Sequence, residues 1–288
     1  MTPSPTFLDL PPDLADPDRA RYVVLPVPYE GTVSYAAGTA AGPVAIIEAS
    51  TQVELYDEEL GAECVAAGVA TLPPVEPADD PAAMMDRVRA AAEPLMRQGK
   101  FVLALGGEHS ITVALVAAAR EAWGEVSVLH VDAHADLRDT YGGTPHSHAC
   151  VMRRVLDITP HLVQVGVRSV SKEEVDACPE QVARFITPQV IEDDPNWVER
   201  ALERLTDRVY VTVDVDGLDP SIAPGVGTPE PGGLTWRQVL RLLRRVASER
   251  EVVAADVVET CPIPGQNLTE FVAARLAYKI IAYTQGPA

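Results

Sequence analysis

Basic residues are scarce in this chain: 23 lysines and arginines stand against 42 aspartates and glutamates in 288 residues, a net charge of −19. A surface of that sign repels nucleic acid and anionic membranes, so neither is expected as a partner; a cationic substrate or metal ions are compatible with it. Long apolar runs are missing too, and without one of about 18 residues no membrane span is expected. The segment Met1 to Asp18 has neither the basic start nor the apolar stretch of a secretion signal. Cysteine is sparse and scattered: Cys64, Cys150, Cys178 and Cys261 form neither a CxxC pair nor a dense framework, so reduced thiols in a cytoplasm are expected. Internal repeats, low-complexity tracts and linkers are also lacking. The expected organisation is an extended N-terminal arm over 1–18 and one domain over 19–288. Proline, by contrast, is plentiful at 25 residues, which predicts many stiff loops.

Apolar, β-branched runs recur, each followed by a helix-like stretch. The expected strands are Tyr22–Val27, Cys64–Ala70, Phe101–Leu105, Val126–Val131, Leu162–Val167, Ala183–Thr187, Val209–Val215 and Val252–Val258. Several are hydrophobic almost throughout, as strands covered on both faces should be. Asp80-Pro81 reads as a cap and first-turn proline opening a helix that Pro94 should kink or end. Thr235–Ser248 places Trp236, Val239, Leu240, Leu243 and Val246 on one face. About eight β/α units admit a closed barrel or an open parallel sheet, and periodicity does not choose between them. Both put functional residues at the carboxyl ends of strands.

That is where the unusual chemistry lies. The run Val126–Val131 leads into Asp132, His134 and Asp136, whose alternate spacing aims three ligand-type side chains the same way. A second strand ends in Asp214 and Asp216 with the same spacing. A third ends in Gly106-Gly107-Glu108-His109, where the glycines permit a tight turn. Unpaired, four converging aspartates would repel one another and lose solvation. A pair of divalent cations would offset both, and carboxylate-rich ligation with two imidazoles suits Mn²⁺ better than a thiolate-preferring metal.

These motifs resemble the ureohydrolases, the arginase and agmatinase superfamily. The resemblance rests on Gly106-Gly107-Glu108-His109-Ser110, Asp132-Ala133-His134-Ala135-Asp136 and Asp214-Val215-Asp216-Gly217-Leu218-Asp219-Pro220-Ser221. It runs from Pro28-Tyr29-Glu30-Gly31 to Glu259. It implies a three-layer α/β/α fold with a mainly parallel sheet of about eight strands. It implies two Mn²⁺ per chain, one held by His109, Asp132, Asp136 and Asp216 and the other by Asp132, His134, Asp214 and Asp216. Such a pair activates water for attack on a guanidinium carbon, releasing urea and an amine. The resemblance further gives Glu259 the task of holding the guanidinium and His148 that of delivering a proton to the leaving amine, with His146 as the rival. It also implies a homo-trimer or homo-hexamer.

The substrate beyond its small cationic guanidino group is read from the loop Leu137-Arg138-Asp139-Thr140-Tyr141. Arg138 stands where arginases usually place Asn, and a cation there suits the α-ammonium of arginine poorly. Arg138 and Asp139 are therefore expected to face an agmatine-like molecule. Agmatine, giving putrescine, is the first expectation, N1-aminopropylagmatine, giving spermidine, the second, and guanidinobutyrate the third. Two other classes remain: a deacetylase-like hydrolase with one zinc, and an inactive scaffold on the same fold. His130 reads as a hydrogen-bonded core residue, Glu108 as a hydrogen-bonding neighbour of the ligands, and Asp256 as a residue that only positions backbone.

Overall fold

The computed structural model describes residues 5–285. Nine strands form: β1 (Tyr22–Val27), β2 (Tyr56–Asp57), β3 (Ala62–Glu63), β4 (Val69–Thr71), β5 (Phe101–Gly106), β6 (Ser127–Val131), β7 (Leu162–Val165), β8 (Arg208–Asp214) and β9 (Glu251–Val258). Seven of them make one sheet in the order β4-β1-β5-β9-β8-β6-β7, parallel at every pairing, while β2 and β3 form a separate hairpin. Helices α1 (Gly42–Ser50), α2 (Pro81–Arg97), α3 (Thr112–Trp123) and α4 (Val151–Ile158) precede four short ones, α5 (Lys172–Ala177), α6 (Pro179–Val182), α7 (Pro188–Asp193) and α8 (Trp197–Leu202). Two longer helices follow, α9 (Trp236–Glu249) and α10 (Leu268–Thr284).

Alternation along each strand builds two cores. On β5, Leu103 and Leu105 pack with α1, α8, α9 and α10, whereas Val102 and Ala104 pack with α2, α3 and α4. The sheet is thus covered on both faces, the three-layer arrangement expected. At the amino end, Phe7 and Leu8 are buried in the first core, their backbone N–H groups donating to Thr71 and Ser50. Residues 1–4 of the expected arm lie outside the described residues.

Three expectations change. Ala183–Thr187 is not a strand: Ile186 makes one isolated bridge to Val165, and Thr187 is already the cap of α7. The run Cys64–Ala70 reaches the sheet only from Val69, because turns fill its first half and Gly68 adopts φ +75° against Ala20. The sheet therefore has seven strands, not eight. Helix α2 continues three residues beyond Pro94 to Arg97. Pro94 and Ala90, whose carbonyl loses its N–H partner, are both exposed, so water can satisfy the freed oxygen. Asp80 caps this helix as expected, accepting from Ala83 N–H. Thr235 with Gln238 forms a full capping box at α9.

Candidate metal centre and active site

The four strands that end in ligand-type residues, β5, β9, β8 and β6, are contiguous in the sheet, so their carboxyl ends share one site. The turn after β5 needs its glycines. A Cβ on Gly107 would sit 2.0 Å from the Tyr29 carbonyl oxygen. The next residue, Glu108, is fully buried and accepts from Gly31 N–H (2.7 Å), Thr32 N–H (2.6 Å), Thr32 Oγ1–H (2.7 Å) and Ser110 Oγ–H (2.5 Å). It pins the 31–32 loop to the strand end, the hydrogen-bonding part expected of it.

His109 follows. Its Nε2 lies 2.9 Å from Thr212 Oγ1, and Thr212 in turn donates to Asp256 Oδ1 at 2.6 Å. Asp256 also accepts from Tyr210 (2.6 Å) and Thr112 (2.8 Å), so as a carboxylate it takes every hydroxyl proton nearby. Thr212 is left with a lone pair for His109, which places the ring proton on Nε2. Nδ1 is then a buried lone pair without a hydrogen-bond partner, facing Asp132 Oδ2 at 3.1 Å, Asp136 Oδ2 at 3.4 Å and Asp214 Oδ2 at 3.4 Å. An orphaned imidazole nitrogen among three carboxylates fits a divalent cation.

A second group shares Asp132. His134 Nδ1 lies 3.0 Å from Asp216 Oδ2 and 3.5 Å from Asp132 Oδ1. The ligand-type atoms of Asp132, His134 and Asp216 cluster closely enough for one ion, as do those of His109, Asp132, Asp136 and the neighbouring His130. Asp216 stands with His134, as the resemblance implies for that cation, and Asp214 lies nearer His109 than that set has it. Asp214 ends β8 itself, whereas Asp216 sits in the following turn, Val215–Gly217, where Ala133 N–H holds its Oδ1 at 3.1 Å.

The electrostatics fit the same picture. Burial and the neighbouring carboxylates push Asp214 and Asp216 above the usual carboxylate range. Burial favours neutral imidazoles, yet the aspartates overcome it, raising His109 well above its ordinary value and His134 to about 12. Without cations, a second proton on each ring, at the Nδ1 that faces the carboxylates, does the neutralising that bound metal would take over.

Around the clusters lies a cavity of about 170 Å³ lined by His109, His134, Asp136, Asp214, Asp216, His148 and Glu259. Glu259 accepts His109 N–H at 2.7 Å, and burial pushes its carboxyl up to about 8. His148 Nδ1 lies 3.1 Å from Thr32 Oγ1, and Nε2 lies 3.3 Å from Ser34 Oγ on the cavity wall. His146 does not line the cavity. Arg138 does, paired with Glu173 at 3.0 Å and stacked over Tyr141. Asp139 does not reach it: Arg154 on α4 holds its exposed carboxylate at 2.6 Å.

Two features here were not read from the sequence. Asp136 (φ 53°) and Glu259 (φ 64°) are both left-handed, a strained state for side-chain-bearing residues that aims their carboxylates inward. Glu174, buried on the cavity wall, accepts Leu137 N–H and Ser171 N–H; its capping-box spacing with Ser171 was the signal that could have found it.

Residues 20–282 match a sequence model of the arginase family. The chain belongs to the arginase family. It is accordingly a metal-dependent hydrolase of the ureohydrolase type. Among its relatives, the N(1)-aminopropylagmatine ureohydrolase of Synechocystis sp. is 42% identical over 92% of this chain and 89% of its own. One from Thermus thermophilus is 43% identical over 92% of this chain and 90% of its own. The crystal structure of the agmatine ureohydrolase of Thermoplasma volcanium superposes with a TM-score of 0.85 at 36% identity, covering 93% of this chain and 91% of that one. Among its described residues the chain has no helix long and apolar enough to cross a membrane.

Proposed function

We propose that this arginase-family chain hydrolyses N1-aminopropylagmatine to urea and spermidine, a polyamine-forming step, using two Mn²⁺ per chain. The observation that carries the reaction is the Glu259 carboxylate, hydrogen-bonded to His109 N–H at the edge of the double ligand cluster. The likeness to aminopropylagmatine ureohydrolases, 42–43% against 36% for the agmatine enzyme, moves the substrate from agmatine, the first expectation, to its aminopropyl derivative. Agmatine is the second reading, favoured by the Thermoplasma structure. A strongly acidic protein attracts the more highly charged of the two cations more strongly.

In this reading His109, Asp132, Asp136 and Asp214 would hold one cation, and Asp132, His134 and Asp216 the other. When bound, the pair supplies Lewis acidity and lowers the pKa of water, bringing a nucleophile to neutral pH. Glu259 presents a carboxylate edge to two guanidinium N–H groups and fixes the carbon to be attacked. Thr32 commits its own proton to Glu108, so His148 donates Nδ1–H to Thr32 and keeps Nε2 toward the cavity. Through Nε2 it takes the proton that water loses and returns it to the alkyl nitrogen as the carbon–nitrogen bond breaks. Arg138, its charge met by Glu173, lines the mouth of the cavity. The four free cysteines suit a reducing cytoplasm, and the family resemblance carries the homo-trimer or homo-hexamer.

Metal titration tests the assignment. Wild-type protein should bind two Mn²⁺ per chain; Asp132→Asn should weaken both sites and Asp136→Asn only one. One zinc per chain, or a variant at Asp132 that binds two Mn²⁺ as well as wild type, would defeat it.

A further inference from the structure

One pleat before Asp132 and Asp214, on the same face of the sheet, four buried polar side chains stand in a row. Gln164 on β7, His130 on β6, Thr212 on β8 and Asp256 on β9 are register partners in sequence across the sheet, and none is exposed. Buried polar groups among Val and Leu side chains cost free energy unless every donor and acceptor is matched. The Asp256 half of the row orients His109, as described above. The Gln164 half has a direction of its own.

That direction follows from two backbone carbonyls, which can only accept. Gln181 Nε2 lies 3.3 Å from Leu162 O and 3.0 Å from Gln164 Oε1, so Gln181 turns its amide nitrogen toward Gln164. Gln164 Nε2 lies 2.8 Å from Ala135 O, which independently fixes the same amide orientation. Its remaining N–H points at His130 Nδ1, 3.1 Å away, so that nitrogen is an acceptor. The ring proton is therefore on Nε2, 2.7 Å from Asp132 Oδ2.

We propose that Gln164, itself held by Gln181, locks His130 in its Nε2–H form, and that His130 is a positioning residue which donates to Asp132 rather than a third imidazole ligand. The inference rests on the two-cation reading above. His130 lies beside His109, ring centroids 5.1 Å apart, and its atoms are close enough to Asp132 and Asp136 to share an ion. A free Nε2 lone pair there would compete for the cation; the amide proton on Nδ1 removes it. With Oδ2 receiving His130 and Oδ1 receiving His134 N–H (2.5 Å), both oxygens of Asp132, the carboxylate common to the two clusters, are held from behind. The Gln164 amide binds the Ala135 carbonyl as well, so one side chain braces both the ring and the Asp132–Asp136 loop.

The test has a metal-free and a metal-bound part. In ¹⁵N-histidine spectra of the metal-free full chain, His130, assigned by its loss in His130→Gln, should show an unprotonated Nδ1 and a protonated Nε2. Gln164→Glu, which offers Nδ1 only an acceptor, should protonate that nitrogen. In Mn²⁺ titrations, His130→Leu should bind about 10- to 100-fold more weakly. His130→Gln, whose amide N–H can reach Asp132, should stay within a few-fold of wild type at two Mn²⁺ per chain. An Nδ1–H form in wild type, wild-type affinity in His130→Leu, or one Mn²⁺ per chain in His130→Gln would overturn the proposal. Failure of the wild type to bind two Mn²⁺ would instead count against the two-cation reading, and the tautomer would then decide this inference by itself.

Discussion

Replacing Glu259 by Gln removes one charge and almost no volume. The Gln oxygen can still accept His109 N–H, the 2.7 Å bond made by Oε1, so the turn after β5 should survive. What disappears is the carboxylate edge facing the guanidinium. Breaking a buried ion pair of this kind costs about 3–5 kcal/mol, at about 1.4 kcal/mol per tenfold a fall in kcat/KM of about 100-fold to a few thousand-fold. A stability measurement on metal-free protein gives a second, independent check. Burial pushes the Glu259 carboxyl from 4.5 up to about 8, so the folded state holds that proton more tightly than the unfolded chain. The stability gained is complete below about pH 4.5 and is lost as pH rises through about 8. Gln carries no such proton. The metal-free variant should therefore melt with the wild type at pH 5 and above it at pH 9. Urea release by the loaded enzyme and thermal melts of the metal-free one are the assays. Undiminished kcat/KM, or a variant less stable than wild type at pH 9, would refute the reasoning.

Thr212→Val deletes the acceptor of His109 Nε2–H and should weaken Mn²⁺ binding about 10- to 100-fold, with Thr212→Ser near wild type; the free Mn²⁺ signal in electron paramagnetic resonance reads this. His148→Ala should retain metal but lose most turnover, whereas His146→Ala, outside the cavity, should keep it; steady-state urea release separates them. Loading Mn²⁺ at pH 7 should release protons, because His109 and His134 titrate above their ordinary range; affinity should climb with pH, and calorimetry in two buffers of different ionisation heat counts the protons. Lys279→Met leaves the fully buried Asp57, 2.8 Å from the lysine nitrogen, without its cation and should cost about 3–5 kcal/mol in urea denaturation.

Much of this was legible because strand ends carry their chemistry in short runs. The spacing of Asp132, His134 and Asp136 already implied convergence, and the covered sheet followed from apolar runs such as Val209–Val213. What was not legible depends on backbone turns or on cross-strand register. Asp136 and Glu259 reach the cavity through left-handed conformations that no spacing announces. The partition of Asp214 and Asp216 turns on the tight turn after β8, where one residue leaves the strand and the other does not. Asp139, expected at the substrate, is paired with Arg154, fifteen residues on. The row Gln164, His130, Thr212 and Asp256 is invisible in any single segment, since its members meet only when four strands pair in register. Asp256, expected to position only backbone, instead orients three hydroxyl groups.

The most direct measurement is urea release by the Mn²⁺-loaded enzyme from N1-aminopropylagmatine, agmatine, arginine and guanidinobutyrate, each with and without chelator. Release should be chelator-sensitive, with the highest kcat/KM for N1-aminopropylagmatine and agmatine next. No urea from any of the four, or arginine as the best substrate, would contradict the proposed function.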